Sequence, residues 1–342
     1  MANAVDSRLF GLVVSDGHEV HRVRDRDYKE TPQRLRALLA GVEAMPIWDR
    51  LPLRQFGEDP ILAVHDSAFF RFMGDVINCL EPGEELLPSI VPIRNRDRLP
   101  ADLTLQAPYY SLDTFTPITR NGYVTARKSV DCALTAAEAM LDGARAAYAL
   151  IRPPGHHAEH RYFGGYCYFN SLAVAANYLS RRGKVAVFDL DYHHGNGQQE
   201  IFYRRNDVLT MSIHGHPSVA FPYFSGFEDE TGTGAGEGFN LNVPLMEGVD
   251  GDAYRRALDR LVRRAEEFGP ACIVVALGLD TARNDPAGTW LLRAEDFRRN
   301  GQAIGAFRLP TLVVQEGGYH LRTLGVNARS FFEGLWEGMG GA

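Results

Sequence analysis

DLDYHHGNG, residues 189–197, follows the apolar run KVAVF and sets two carboxylates and two histidines within six positions. Burying such a cluster is costly unless a metal or hydrogen-bonding partners compensate its charge. A strand side chain shares its face with the second residue along, so KVAVFDLD (184–191), taken as a strand, puts Asp189, Asp191 and His193 on one side, opposite Leu190 and Tyr192. Asp191 and His193, at the very end of that strand, can reach a metal ion. Asp189, one pleat deeper, is placed to support them.

The same alternation extends along the chain. Strands are expected at LFGLVV (9–14), AAYALI (146–151), VLTMSIH (208–214), ACIVVALGLD (271–280) and TLVVQEGG (311–318). Helices are expected over 31–45 with Pro32 in the first turn, over 123–141, and over 171–183 with Asn170 as cap. Further helices fall at 197–205, 250–269, 294–307 and 326–339. Repeated strand–helix alternation predicts an α/β fold, a mostly parallel sheet with helices on both faces. No linker or repeat divides it, so one domain over 1–342 is expected. Three long irregular stretches interrupt the pattern, at 15–30, 81–121 and 215–240; such loops serve function or assembly, or are tolerated insertions.

Composition narrows the classes. With 45% hydrophobic residues in 342, the chain can bury a large core. A net charge of −7 argues against nonspecific nucleic-acid binding, which needs basic surface. The start, MANAVDSRLFGLVV, lacks a leader pattern, and no apolar run approaches the roughly 20 residues that span a bilayer. Cys79, Cys132, Cys167 and Cys272 form no CxxC pair, so a cytoplasmic protein without thiolate metal sites is expected.

Four strands end in polar clusters: ALIRPPGHH in His156 and His157, VAVFDLDYHH in the opening group, IVVALGLD in Asp280, and LVVQEGGYH in Glu316 and Tyr319. In an open parallel sheet ligands bind at the carboxyl ends of the strands, so these clusters converge in space. Asp280 completes a set of one histidine and two aspartates, and three protein ligands with an open position suit a catalytic zinc. The bland alternative is a buried hydrogen-bond and ion-pair network, which would be favoured for any one of these residues alone. TGTGAGEG (231–238) has neither the lysine nor the strand–helix context of a phosphate loop. No GxSxG elbow or nucleophile-type cysteine motif is present.

RPPGHH (152–157), FGGYCYFN (163–170), DLDYHHGNG (189–197), LGLDTARNDP (277–286) and EGGY (316–319), in this order, resemble the zinc-dependent histone deacetylase-like superfamily. VHDSAFFRFM (64–73) and MSIHG (211–215) extend the resemblance. Chain length, the GYC and HHGNG variants and the long 81–121 loop look most like bacterial acetylpolyamine amidohydrolases.

The resemblance implies a three-layer arginase/deacetylase-like fold and one zinc ion held by Asp191, His193 and Asp280. It implies His156 and His157 as the general base and acid pair, with Asp189 bonded to His156 and Asn196 beside His157. Tyr319 would donate its hydroxyl to the reacting carbonyl oxygen. Gly165, Tyr166 and Phe221 would line the substrate tunnel. Asp189, Ser212 and the main chain around Asp191 and His193 would hold potassium. It further implies a small cationic acetylated substrate and a homodimer built through the 81–121 loop.

Acetyl-lysine peptides are the alternative substrate, and a non-catalytic binding protein for acetylated ligands is a further one. A binuclear ureohydrolase needs more carboxylates, and Gly195, Gly278 and Ala282 occupy the positions where they would fall. Glu19, Asp25, Asp27, Glu30, Glu81, Glu84, Glu85, Asp102 and Asp113, in the first two loops, can attract a polycation or be solvated surface charge. The first of these loops is also basic, HEVHRVRDRDYKETPQR.

Overall fold

The apolar runs become strands β1 (Phe10–Val14), β2 (Trp48–Arg50), β3 (Ala146–Leu150), β4 (Val185–Asp189), β5 (Val208–Gly215), β6 (Asn240–Leu245), β7 (Cys272–Leu277) and β8 (Thr311–Gln315). In this computed structural model the described residues are 10–25, 27–89, 93 and 95–341. The N-terminal segment expected to lack a leader, Leu9 of the first strand, positions 90–92 and 94 of the 81–121 loop and the last residue lie outside them. All eight strands pair in parallel in one sheet of order β2-β1-β3-β8-β7-β4-β5-β6.

The helices between them are α1 (Pro32–Val42), α2 (Asp59–Leu62), α3 (Ser67–Val76), α4 (Arg120–Leu141), α5 (Ser171–Ser180), α6 (Asn196–Phe202), α7 (Gly251–Phe268), α8 (Ala294–Gly305) and α9 (Leu321–Gly338). Among the described residues, no helix is long and apolar enough to cross a membrane.

Alternate strand residues feed two cores, one on each face of the sheet. Phe10, Tyr148, Phe188, Val275 and Val313 pack with Leu38 of α1, Leu258 of α7, Ile304 of α8 and Phe331 of α9. Val13, Ala149, Val187, Val274 and Val314 face the other way, onto Ala133 and Ala137 of α4, Leu172 and Ala176 of α5, and Phe202 of α6. The small residues of α4 and α5 let these helices lie close on the strands. A third cluster, built on Phe69 and Met73 of α3 and Phe163 and Phe169, anchors the long second loop through Ala107, Tyr110 and Ile118.

The topology decides where the chemistry goes. The chain reaches β3, jumps to β4, and later fills the gap with β7 and β8. Thus the four strands that carry the polar clusters are the four adjacent central ones, β3-β8-β7-β4, running in the same direction.

Three strands stop earlier than their apolar runs suggest: β4 at Asp189, β7 at Leu277 and β8 at Gln315, so Asp191, His193, Asp280 and Glu316 all lie past the ladder. For β4 the reason lies in the backbone amides of the loop that follows, which carboxylates take over: Asp191 N–H donates to Asp189 Oδ1 at 3.0 Å, Tyr192 N–H to Asp280 Oδ1 at 2.9 Å and His193 N–H to Asp191 Oδ1 at 2.9 Å. Asp191 and His193 therefore sit on a carboxylate-capped loop rather than at a strand end.

Two edge strands escaped the sequence pattern: β2 has three residues, and β6 contains Pro244, which an edge position tolerates. α9 starts at Leu321, five residues before the expected helix at 326. α3, given above only as a motif, is capped by Asp66, whose Oδ1 accepts from the amides of Ala68 and Phe69, both at 2.9 Å. Asp66→Ala should cost about 1 kcal/mol of stability through loss of this cap, read as a lower urea midpoint with an unchanged slope.

Candidate active site

At the carboxyl ends of β4 and β7, Asp191, His193 and Asp280 offer ligand atoms that all lie within 4.8 Å of one another. His193 Nδ1 stands 3.2 Å from Asp191 Oδ1 and 3.2 Å from Asp280 Oδ2. Asp191 Oδ2 accepts the Gly317 amide at 2.7 Å. Asp280 Oδ2 is buried and has no hydrogen-bond partner. A buried carboxylate oxygen left over beside a second carboxylate and an imidazole is what a cation site requires. Gly317 belongs to this centre because a Cβ there would run into both Asp280 and Asp191.

Burial raises Asp280 to about 7, helped by the charge of Asp191. Burial alone would depress His193, but its contact with Asp191 and the adjacent Asp280 carboxylate outweigh it and lift it to about 9. A second cluster of ligand-type groups, His156, Cys167 and Glu316, is of another kind. Burial pushes the Cys167 thiol up, and Glu316 Oε2 accepts the amides of Gly155 and His156 at 2.7 and 3.1 Å. These groups tie the turn that follows β3 to the end of β8.

The two histidines that follow β3 stand with ring centroids 4.0 Å apart and have opposite surroundings. His156 Nδ1 lies 3.1 Å from Asp189 Oδ2, an oxygen that also accepts from Gln198, and His156 Nε2 lies 3.8 Å from Asp191. Burial opposes its charge, yet Asp191 and Asp189 raise it to about 10. His157 Nδ1 lies 2.8 Å from Asn196 Oδ1. Burial, together with the neighbouring His156 and His193, drives His157 well below the ordinary imidazole value. One imidazole is held charged and the other neutral.

Tyr319 is reached through β8. Its amide and that of His320 both donate to Asp285 Oδ2, at 2.7 and 2.9 Å. The Arg34 guanidinium lies 4.7 Å from the centre of its ring and donates to the carbonyls of Glu316 and Gly318, both at 2.6 Å. Burial holds the Tyr319 phenol well above its usual range, so it stays protonated.

A tunnel of 240 Å³ leads to this group, with Tyr166, Phe221, Phe115 and Gly165 among its walls and His157, His193 and Tyr319 at its floor. Gly165 has a φ of 55°, and a Cβ there would strike the His157 ring. Ser212 stands outside the tunnel, paired in register with Asp189 on β5, and its hydroxyl lies 2.8 Å from His214 Nδ1. His194 pairs through Nε2 with Gln199 at 3.0 Å.

Two acidic residues considered as attractors of a polycation do not serve in that way. Glu30 is buried between Arg34 and Arg152, 2.8 Å from each. Asp113 is buried and accepts from the amides of Phe115, Thr116 and Gly165. The charged side chain that does line the tunnel is Lys29. Arg34, Asp285 and Gln198 were missed in the sequence, and Glu30 was read there only as loop charge, because each acts through backbone groups or other side chains. Asp285 lies inside LGLDTARNDP, and Glu30 and Arg34 inside the quoted first-loop stretch HEVHRVRDRDYKETPQR.

The histone deacetylase domain family matches residues 28–335. This chain belongs to that family. It is 40% identical over 348 residues to acetylpolyamine amidohydrolase 1 of Pseudomonas aeruginosa, covering 95% of this chain and 98% of the relative. It is 43% identical over 320 residues to acetylpolyamine amidohydrolase of Burkholderia pseudomallei, covering 92% and 93%. A crystal structure of acetylpolyamine aminohydrolase from B. pseudomallei superposes with a TM-score of 0.89 at 40% identity, covering 96% of this chain and 98% of that one. The HDA15 HD domain superposes at 0.80 with 28% identity, covering 98% and 89%. The fold is thus the three-layer deacetylase fold.

Metal loading should release a proton, because only a neutral imidazole ligates. At about pH 8, with Asp280 already ionised and His193 still charged, binding of one zinc ion should release about one proton. Calorimetry in buffers of different ionisation enthalpy measures it, and Asp280→Asn should lose most of the bound metal.

Proposed function

We propose that this protein is a zinc-dependent amidohydrolase that removes acetyl groups from acetylated polyamines or related small acetylated amines. The convergence of Asp191, His193 and Asp280 with His156, His157 and Tyr319 at the ends of adjacent strands carries the reading. Two carboxylates and one imidazole fit a catalytic zinc, which when bound supplies Lewis acidity to the acetamide carbonyl and to the attacking water.

The chain's own groups then divide the work. Neutral His157, with its Nδ1 proton engaged by Asn196, turns Nε2 to the tunnel as the base for that water. Charged His156 offsets the negative charge that develops and can deliver a proton to the leaving amine. The Tyr319 hydroxyl donates to the developing oxyanion. Nothing in this sequence needs a covalent enzyme intermediate. A structural potassium ion beside Asp189 and Ser212 belongs to the same reading, supported by their strand register, and a higher melting midpoint in potassium than in sodium buffer would reveal it. Four unpaired cysteine thiols support a cytoplasmic location.

The second loop supports the choice of a slender substrate over a peptide, since Phe115 from it walls the tunnel. Lys29 at the same tunnel repels a substrate ammonium held close to the acetamide. We also propose that the 81–121 loop builds a homodimer, supported by Leu87, Leu99, Leu105 and Phe115, which are 44–57% exposed on it. Light scattering should then give about twice the 38.0 kDa chain mass; a monomer at micromolar concentration would reject this.

The reading is tested by turnover of N-acetylputrescine, N-acetylcadaverine, acetylspermidine and an acetyl-lysine peptide, with and without chelator. The acetylated amines should be preferred, and a strong preference for the peptide overturns the substrate class. Tyr319→Phe should lower kcat by roughly 100- to 1000-fold with metal content intact. Lys29→Met should lower KM for the diamines while leaving kcat nearly unchanged.

A further inference from the structure

We propose that Glu159 is a positioning residue for His157: acting through the Asn196 amide, its carboxylate fixes the imidazole with its proton on Nδ1 and its lone pair at Nε2 turned to the tunnel, and it supplies at one remove the negative charge that Asn196 lacks. The proposal rests on the deacetylase reading for what His157 does, and on geometry for how it is held.

Asn196 makes three contacts that only one orientation of its amide satisfies. Its Oδ1 faces His157 Nδ1 at 2.8 Å, while Nδ2 donates to the His157 carbonyl at 3.1 Å and to Glu159 Oε1 at 2.8 Å. Turning the amide over would set its NH2 against the ring N–H and its oxygen against two acceptors. Glu159 and the His157 carbonyl therefore lock Asn196, and Asn196 selects the tautomer. The carboxylate strengthens the amide dipole along this line, as an ionised acceptor does in a hydrogen-bonded chain.

Glu159 is itself held by the chain around it. His65 Nδ1 lies 2.9 Å from the Glu159 carbonyl, while Nε2 of the same ring accepts the Asn170 amide at 2.9 Å. The Glu159 amide donates to the Tyr162 carbonyl at 2.9 Å, and the Asp66 amide to the His160 carbonyl at 2.7 Å. VHD, residues 64–66, thus clamps the turn that carries Glu159. The side chain lines a cavity of 470 Å³ that shares no lining residue with the tunnel. The charged groups facing that cavity with it are Glu200, Arg204 and Glu230. Burial raises Glu159 to about 7, the Asn196 amide opposes this, and Glu200 adds to it. Solvent thus reaches the charge from a side that substrate does not use.

Four variants separate the parts. Glu159→Leu removes acceptor and charge, whereas Glu159→Gln keeps an acceptor and removes only the charge. Glu159→Leu should lower kcat by about 10- to 100-fold with KM and bound zinc unchanged. Glu159→Gln should lose less and move the acid limb of the kcat profile to lower pH. Asn196→Asp alone sets two carboxylates side by side and should lose activity, and adding Glu159→Gln should restore it above either single variant. Wild-type kcat in both Glu159 variants, or no gain in the double variant, overturns the proposal.

Failure of the function reading looks different, as absence of turnover by the wild type on every acetylated amine. In that case 15N NMR of the labelled imidazole decides: a single Nδ1–H tautomer in the wild type that becomes mixed in Glu159→Leu supports the lock, and an unchanged tautomer overturns it.

Discussion

Three buried carboxylates, Asp189, Asp191 and Asp280, stand at neighbouring strand ends, and their mutual repulsion is the constraint that the rest of the site answers. An unpaired buried charge costs several kcal/mol, so each must find donors or a cation. Each spends one oxygen on a backbone amide of the loop that follows β4, and Asp191 spends its second on Gly317 of the β8 end. These bonds bend the chain out of the ladder and tie the ends of β4, β7 and β8 together. What remains is a single unpartnered oxygen on Asp280 beside the His193 ring. The candidate metal site is what a backbone hydrogen-bonding scheme leaves over, and that scheme sets its geometry.

The Tyr319 side of the site is held by an opposite device. Arg34 reaches up from α1 and uses its donors on the carbonyls of Glu316 and Gly318 and on Glu30, which also pairs with Arg152. Exchanging such a buried pair for apolar residues is often neutral for stability, so its value here is positional. Carbonyls that have left the β8 ladder need a donor, and a guanidinium satisfies two at fixed spacing. Asp285 takes the amides on the other side of the same turn. The tyrosine is thereby carried on a backbone segment pinned from both directions.

This scheme explains what could be read in the sequence. The parallel sheet, its strands other than β2 and β6 and the helices other than α2 and α3 were legible because apolar periodicity reports burial directly. β2 and β6 were not, since an edge strand buries little and β6 tolerates Pro244. Asp191, His193, Asp280, His156, His157 and Tyr319 stood out as polar groups closing apolar runs, and the structure brings them together. The strand-period argument that sorted Asp189 from Asp191 nonetheless rested on a strand longer than the real one. Its outcome agreed with the structure because carboxylate-capped amides turn Asp191 and His193 inward together. Arg34, Gln198 and Asp285 were not legible, because their partners are main-chain groups or distant side chains that leave no pattern. Glu30 and Asp113 looked like surface charge because a loop sequence does not reveal which of its carboxylates turn inward.

The adjacent histidines show why such partners matter more than residue identity. With their rings 4.0 Å apart, a charge on one opposes a charge on the other, so the pair shares its protons unequally. Which ring keeps the proton depends on what lies behind it, a carboxylate for His156 and an amide for His157. An Asp behind His157 would set its charge directly against that ring, where Glu159 now acts at one remove through the amide. An amide behind each would leave no charge to balance a developing oxyanion. The mixed arrangement gives one base and one cation from a single dipeptide, and it holds only while the amide stays in one orientation. The groups that orient Asn196 therefore belong to the chemistry as much as the imidazole it faces.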